Sequence, residues 1–175
     1  MTADAWTGEI HQDQPIRYEA CDLKLAAQLL DKMIVLATNE FAGRVDKQGM
    51  PYILHCHTVA HKLRTDDLER MAIGYGHDLI EDRGKTVTYK LLEDMGFTPR
   101  IIAGIRCMTK VPGETYDEYK IKVKSNWDSI LVKMADLRHN MDLRRLKGVT
   151  DKDLLRTLEY TKLYHELNHI VKRFA

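Results

Sequence analysis

The sequence predicts an all-α protein, a compact multi-helix bundle, and three observations carry that prediction. Apolar residues recur at three- and four-residue steps in segment after segment, helix-capping residues stand where most of those segments begin, and no alternating apolar and polar stretch survives. Only Thr86 to Tyr89 could pass for a strand. The chain has 175 residues, of which 44% are hydrophobic and 30% charged. That length suits one domain with one core, large enough to bury roughly 70% of its extended-chain surface without disulfides.

The elements follow in order. Residues 1–22, with Asp4, Gly8, Gln12 and Pro15, show no sustained apolar period and read as a loosely attached lead-in to a single domain over 23–175. Leu25, Leu29, Met33 and Leu36 then mark an amphipathic helix from Leu23. Gly43, Gly49 and Pro51 make Arg44 to Pro51 a loop, and His55 to Leu63 carries a second helix. Asp66 with Glu69 resembles a capping box for a third helix running towards Ile80. Thr86 or Thr88 starts a short helix that Gly96 ends, and Thr98 before Pro99 opens the next, with Ile101, Ile102, Ile105 and Met108 inward. Lys110 to Glu114 is a loop; Thr115 with Glu118 makes a further capping box. Asn126 caps a long helix from Trp127 to about Leu146, which Gly148 stops. Thr150 with Asp153 starts the last helix, with Leu155, Leu163, Leu167, Ile170 and Phe174 as its inward stripe.

Lys plus Arg is 27 against 26 for Asp plus Glu, a net charge of +1. Such a balance offers no field to hold a nucleic-acid backbone or an anionic bilayer, so neither is expected as a partner. Cys21, Cys56 and Cys107 are an odd set without Cys-x-x-Cys spacing, which suits reduced thiols. No apolar run approaches the ~20 residues of a membrane span, and the start of the chain lacks a secretory pattern; the expected address is the cytoplasm. A homo-oligomer is compatible with this composition.

Ligand-type residues interrupt the apolar pattern at a few places. Asp136 has Val132, Asn140 and Leu143 as its helical neighbours, so it lies on a face turned at least partly inward. A carboxylate there needs a cation, whether an Arg or Lys side chain or a metal ion. His77 and Asp78 are adjacent, and neighbouring helical side chains diverge by about 100°, so both reach one ion only where the helix ends or bends; Gly74 and Gly76 could permit that. Glu81 and Asp82 follow about one turn later, at the rim of the same place.

Taken together, Gly49-x-Pro51-Tyr52-Ile53-x-His55, then His77-Asp78-x-x-Glu81-Asp82, then Lys133-x-Ala135-Asp136 with His139-Asn140, resemble the HD-domain phosphohydrolases. The closest flavour is the hydrolase half of RelA/SpoT homologues and the free-standing small alarmone hydrolases, over about residues 41–146. The resemblance implies an HD-domain bundle in which His55, His77, Asp78 and Asp136 bind one divalent ion, usually manganese, while Glu81 and Asp82 serve the attacking water. It implies removal of pyrophosphate from the 3′ position of guanosine tetra- and pentaphosphate, the nucleotide being the partner. Lys47 matches the family's basic loop residue; Arg44, Lys133 and Arg138 are further phosphate candidates. Asn140 would bond a ribose hydroxyl or brace the site, and Tyr116 would line the nucleotide pocket or pack in the first turn of its helix.

Some positions depart from the family. Asp46 stands where an Arg precedes the basic Lys, and an acidic side chain cannot stack on a purine as Arg does. Cys56 replaces a usual Pro, Phe41 a frequent His, and Gly74-Tyr75-Gly76 an apolar run. The alternatives are therefore an HD-type nucleotidase or hydrolase of another nucleotide, or a catalytically silent nucleotide-binding module. His165-Glu166-Leu167-Asn168-His169 is a literal zinc-peptidase signature, but it reads as the polar face of the last helix. His57 and His61, four apart, read as an ordinary helical pair.

Overall fold

The computed structural model describes residues 14–174, so Asp4, Gly8 and Gln12 of the lead-in fall outside the described residues. Among the described residues there are nine α-helices and one 3-10 turn, with isolated bridges at Ile16–Asn126 and Val45–Pro51 and no strand. The order is α1 (Leu23–Glu40), α2 (Ile53–Lys62), α3 (Leu68–Gly76), α4 (Leu79–Arg83), α5 (Tyr89–Asp94), α6 (Pro99–Met108), α7 (Tyr116–Lys124), α8 (Trp127–Asn140), the 3-10 turn Leu143–Arg145, and α9 (Asp151–Phe174).

Most boundaries follow local chemistry. Thr88, Thr98 and Asn126 each accept a backbone N–H three residues on, and Thr115 with Glu118 closes both halves of a capping box. Gly96 sits at φ +80°, where α5 has ended and a side chain would be strained. Asp22 caps α1 by accepting from the amides of Lys24 and Leu25.

Other boundaries and faces differ from expectation. The buried stripe of α1 is Ala26, Leu29, Met33 and Ala37, while Leu25 is exposed: packing selected the smaller side chains, because α1 lies close against α3. Asp67, not Asp66, caps α3, since Glu69 is drawn inward to accept from Thr98 and the Cys21 amide and to pair with Arg100. The third helix breaks at His77 and restarts as α4 after Asp78. Its glycines do not make the bend, because neither has a positive φ. They permit close packing: a Cβ on Gly74 would meet Ala60 Cα at 3.1 Å, and one on Gly76 would meet Met33 and Ile105 at 2.8 Å.

The long helix from Trp127 ends at Asn140 rather than near Leu146. Asp142 captures the Arg144 amide, and the Arg145 guanidinium turns back onto the His139 carbonyl, so the chain tightens into the 3-10 turn. On α9 only Leu163 and Leu167 are buried, and Leu155 is 66% exposed, against the inward placement expected for it. The described part of the lead-in is fastened: Ile16 exchanges backbone hydrogen bonds with Ser125 and Trp127, and Arg17 lies 3.8 Å over the Trp127 ring.

Two apolar clusters meet across α8. Val132 and Ala135 face the cluster built from α1 to α6, while Ile130, Met134 and Leu137 face α7 and α9. Asp136 is thereby carried on a helix buried on both sides, next to α2 and α3.

Candidate functional site

The α3–α4 break, the first turn of α2 and the middle of α8 converge on one point. His55 is buried on α2, His77 ends α3, Asp78 lies in the break, and Asp136 projects from α8. His55 Nε2 stands 3.3 Å from His77 Nε2 and 3.5 Å from Asp78 Oδ2. His77 Nε2 is 3.0 Å from the same Asp78 oxygen. Asp136 Oδ1 lies 3.4 Å from His55 Nε2 and 3.8 Å from His77 Nε2. Neighbouring ligands on one ion with bonds of about 2.1 Å stand roughly 3.0–3.5 Å apart, so His55, His77 and Asp78 fit a single divalent cation, with Asp136 beside them at 3.4 and 3.8 Å from the two imidazoles. A mixture of imidazole and carboxylate donors is also the right chemistry for such an ion.

The surroundings orient these donors. His77 Nδ1 donates to the Gly74 carbonyl at 2.8 Å, which turns Nε2 towards the cluster. His55 Nδ1 and His139 Nδ1 are 2.7 Å apart. Burial and the nearby His55, Arg145 and Lys62 push His139 down to about 4, which suits it as an uncharged partner of His55. Tyr52, one turn before His55, donates to Asp78 Oδ2 at 2.5 Å. Asp136 Oδ1 accepts from the Asn140 amide at 2.5 Å, and its Oδ2 from Lys133 Nζ at 3.0 Å.

The electrostatics ask for a cation. Burial resists charging His77, but the carboxylates of Asp78 and Asp136 outweigh it and lift its pKa to about 9. Burial likewise opposes ionisation of Asp78, yet His77 and His55 hold it well below the ordinary carboxylate value. Asp136 is lowered too, against burial, by Lys133 and then by His77. Two carboxylates thus draw positive charge onto an imidazole, a role that a bound ion would fill.

Above this cluster lies a cleft of about 440 Å³. His55, Asp78 and Asp136 form its floor; Tyr116, Tyr119 and Tyr160 form a wall. Cations line much of the rim: Lys47, Lys110, Arg145 and Arg156. The Lys47 ammonium is lowered, first by burial and then by repulsion from Arg156, Lys152 and Arg145. Such mutual repulsion marks a place where an anion is welcome.

Each residue singled out from the sequence has a definite position. Lys47, Arg44, Asn140 and Tyr116 all line the cleft, as does Glu81. Glu81 accepts from the Lys110 amide at 2.8 Å. Burial is the largest influence on its pKa and, with Asp78 nearby, raises it above the ordinary value. Arg44 is already engaged: it stacks 4.3 Å over Tyr52 and pairs with Asp82 at 2.9 Å, so Asp82 stands beside the floor rather than on it. Asn140 is committed to Asp136. Arg138 is exposed, donates to the Lys62 carbonyl and does not line the cleft. Asp46 accepts from the Gln48 and Met50 amides and pairs with Arg145 at 2.8 Å, which ties its loop to the 3-10 turn.

Several lining or supporting residues had no role assigned from sequence. Tyr52 and His139 lie three residues from His55 and Asp136, the helical spacing that could have flagged them. Arg145, Arg156 and Tyr160 come from after α8, and only the fold brings them to the cleft. The peptidase-like stretch is not assembled: His165 and His169 are exposed, and Glu166 pairs with Lys124 at 2.6 Å. His57 instead bonds the Tyr75 hydroxyl at 2.7 Å. All three cysteines are free thiols, and no helix among the described residues is long and apolar enough to cross a membrane.

Because the Tyr52 hydroxyl holds the oxygen that faces both imidazoles, Tyr52→Phe is expected to weaken divalent-cation binding at this cluster about 10–100-fold while the ring keeps its packing on Phe41. Calorimetric titration of the purified variant checks this; an unchanged dissociation constant would remove Tyr52 from the metal's support.

No protein-family model and no curated protein matches the chain. Among solved structures, a metazoan ortholog of SpoT that hydrolyzes ppGpp and plays a role in starvation responses is similar, with a TM-score of 0.64 and 20% sequence identity. The match covers 90% of this chain and 98% of that one. The chain therefore adopts the all-α HD-domain fold that its motifs implied, shared along nearly its whole length with that SpoT ortholog.

Proposed function

We propose that the chain is a metal-dependent phosphohydrolase that removes pyrophosphate from the 3′ position of guanosine tetra- and pentaphosphate, with the activity housed in a single unit over residues 23–175. The observation that carries this reading is the convergence of His55, His77, Asp78 and Asp136 beneath a cleft with a cationic rim. The likeness to a ppGpp-hydrolysing protein supports the choice of substrate.

In this reading His55, His77, Asp78 and Asp136 hold one divalent ion, and the carboxylate-rich donor set favours manganese. The ion supplies Lewis acidity to the phosphoryl oxygens and to water. Glu81, with its raised pKa and its place in the cleft, accepts the proton of the attacking water. Asp82, held by Arg44, fixes the line of attack. The new bond joins the water oxygen to phosphorus; the bond from phosphorus to the ribose 3′ oxygen breaks, and that oxygen takes up a proton. Lys47 meets phosphate charge at the rim, and Tyr116 lines the path of the nucleotide. Asn140 positions Asp136.

Asp46 favours a second reading, a hydrolase of another nucleotide with the same machinery, because its carboxylate occupies the loop beside Lys47. A nucleotide panel with manganese separates the two. Guanosine tetraphosphate is expected to release pyrophosphate, and turnover of other nucleotides but not this one would discard the substrate while keeping the chemistry. No release from any nucleotide with any divalent ion would discard both.

A further inference from the structure

The outward face of α9 carries a feature that the cleft does not use. Leu154, Leu155 and Leu158 are 51%, 66% and 51% exposed, on the helix whose opposite face sends Arg156 and Tyr160 into the cleft. Val149, just before the helix, is also exposed. Three exposed leucines within five residues of one helix are not the scattered apolar residues of an ordinary surface.

Their flanks are charged with opposite signs. Asp151, Leu155, Leu158 and Lys162 stand at positions i, i+4, i+7 and i+11, a straight strip along α9. The strip reads acid, leucine, leucine, base, which makes it complementary to its own reverse. Laid antiparallel on a copy of itself, it sets Leu155 against Leu158 of the second copy and Asp151 against Lys162 of the second copy. The two-fold axis repeats both contacts. Among the described residues Lys162 pairs with Glu159, one turn away on an exposed surface, a single weak pair that leaves its ammonium able to bridge to a further carboxylate.

We propose that this strip is a self-association surface, on which a second copy of the chain docks antiparallel through Leu155 and Leu158 with Asp151 and Lys162 fixing the register. Two helices touching over about three turns bury less than the ~1,200 Å² of a firm interface, so the dimer is a weak one that forms in the micromolar range. Docking there would stiffen the wall of the cleft formed by the other face of the same helix, without occluding the cleft.

Sedimentation equilibrium of the full chain from about 1 to 500 μM tests the surface without reference to activity. A monomer–dimer equilibrium is expected, weakened at least about 30-fold by Leu158→Glu, with circular dichroism and melting unchanged because the side chain is half exposed. Asp151→Lys and Lys162→Asp should each weaken the dimer, and the double variant should restore it to within about threefold of the original. A chain that stays monomeric at the highest concentration overturns the proposal and leaves the leucines to a different protein. A dimer indifferent to Leu158→Glu, or a charge swap that fails to rescue, overturns it as well.

Discussion

Asp78→Ala is expected to abolish pyrophosphate release from guanosine tetraphosphate, lowering turnover more than about a thousandfold. The carboxylate contributes the oxygen that faces both imidazoles, at 3.0 Å from His77 and 3.5 Å from His55. In the proposed mechanism its loss would take a ligand from the ion and several kcal/mol of Lewis-acid stabilisation from the reaction, which at 1.36 kcal/mol per tenfold accounts for that factor. The fold should survive. Asp78 precedes α4 but makes no side-chain capping bond, so alanine removes no cap. Asp136 also remains paired with Lys133 in the variant. Far-UV circular dichroism, manganese titration and a pyrophosphate assay on the same preparation distinguish a lost site from a lost fold. Full turnover by the variant would remove the proposed mechanism altogether.

Arg100→Met should destabilise the protein by about 3–5 kcal/mol, a fall in melting temperature of roughly 10 °C. Arg100 is 4% exposed and surrounded by acids. Its Nε and Nη2 hold both oxygens of the buried Asp128 at 2.8 and 2.9 Å, its Nη1 reaches Glu69 at 3.3 Å, and it also pairs with Asp67. Methionine fills much of the volume but leaves Glu69 buried without its cation, and Asp128 with Arg70 alone. That uncompensated charge is the source of the cost. Burial pushes the Asp67 carboxyl up, but Arg100 and the Arg70 amide outweigh it and hold it below 3.8. Its contribution to stability is therefore present above that pH and lost on acidification below it, and the variant should show less of this acid sensitivity. A melting temperature within about 2 °C of the parent protein would mean the network is energetically idle.

The helices were legible because their signals are local. Thr88, Thr98, Thr115 and Asn126 cap their own helices through bonds three residues long, and Gly96 ends α5 with its own backbone. No distant residue has to be known for these. Where distant residues intervened, the reading shifted. The sequence spacing makes Glu69 half of a capping box, but Arg100, over thirty residues away, draws it into the core. The stripe of α1 keeps Leu29 and Met33 but ends on Ala26 and Ala37 in place of Leu25 and Leu36, because α3 presses on it closely enough to prefer alanines there. Leu155 is in phase with other apolar residues yet lies exposed, because periodicity carries no information about whether a partner exists on that side.

The site divides in the same way. Residue chemistry singled out Asp136, since a buried carboxylate must find a cation wherever the chain places it, and the resemblance to a known family added His55, His77, Asp78, Glu81 and Asp82 as candidates. The sequence alone thus determined the helical class, most of the caps, and which ligand-type residues were candidates for the site. The tertiary structure decided which partners meet across long separations: Tyr52 with Asp78, His139 with His55, Arg145 with Asp46, and the α9 side chains at the cleft. It also decided that one face of α9 stays uncovered. The physical reason is range. Capping and periodicity act within one or two turns of a helix, whereas these contacts exist only after packing of the helices has brought separate turns together.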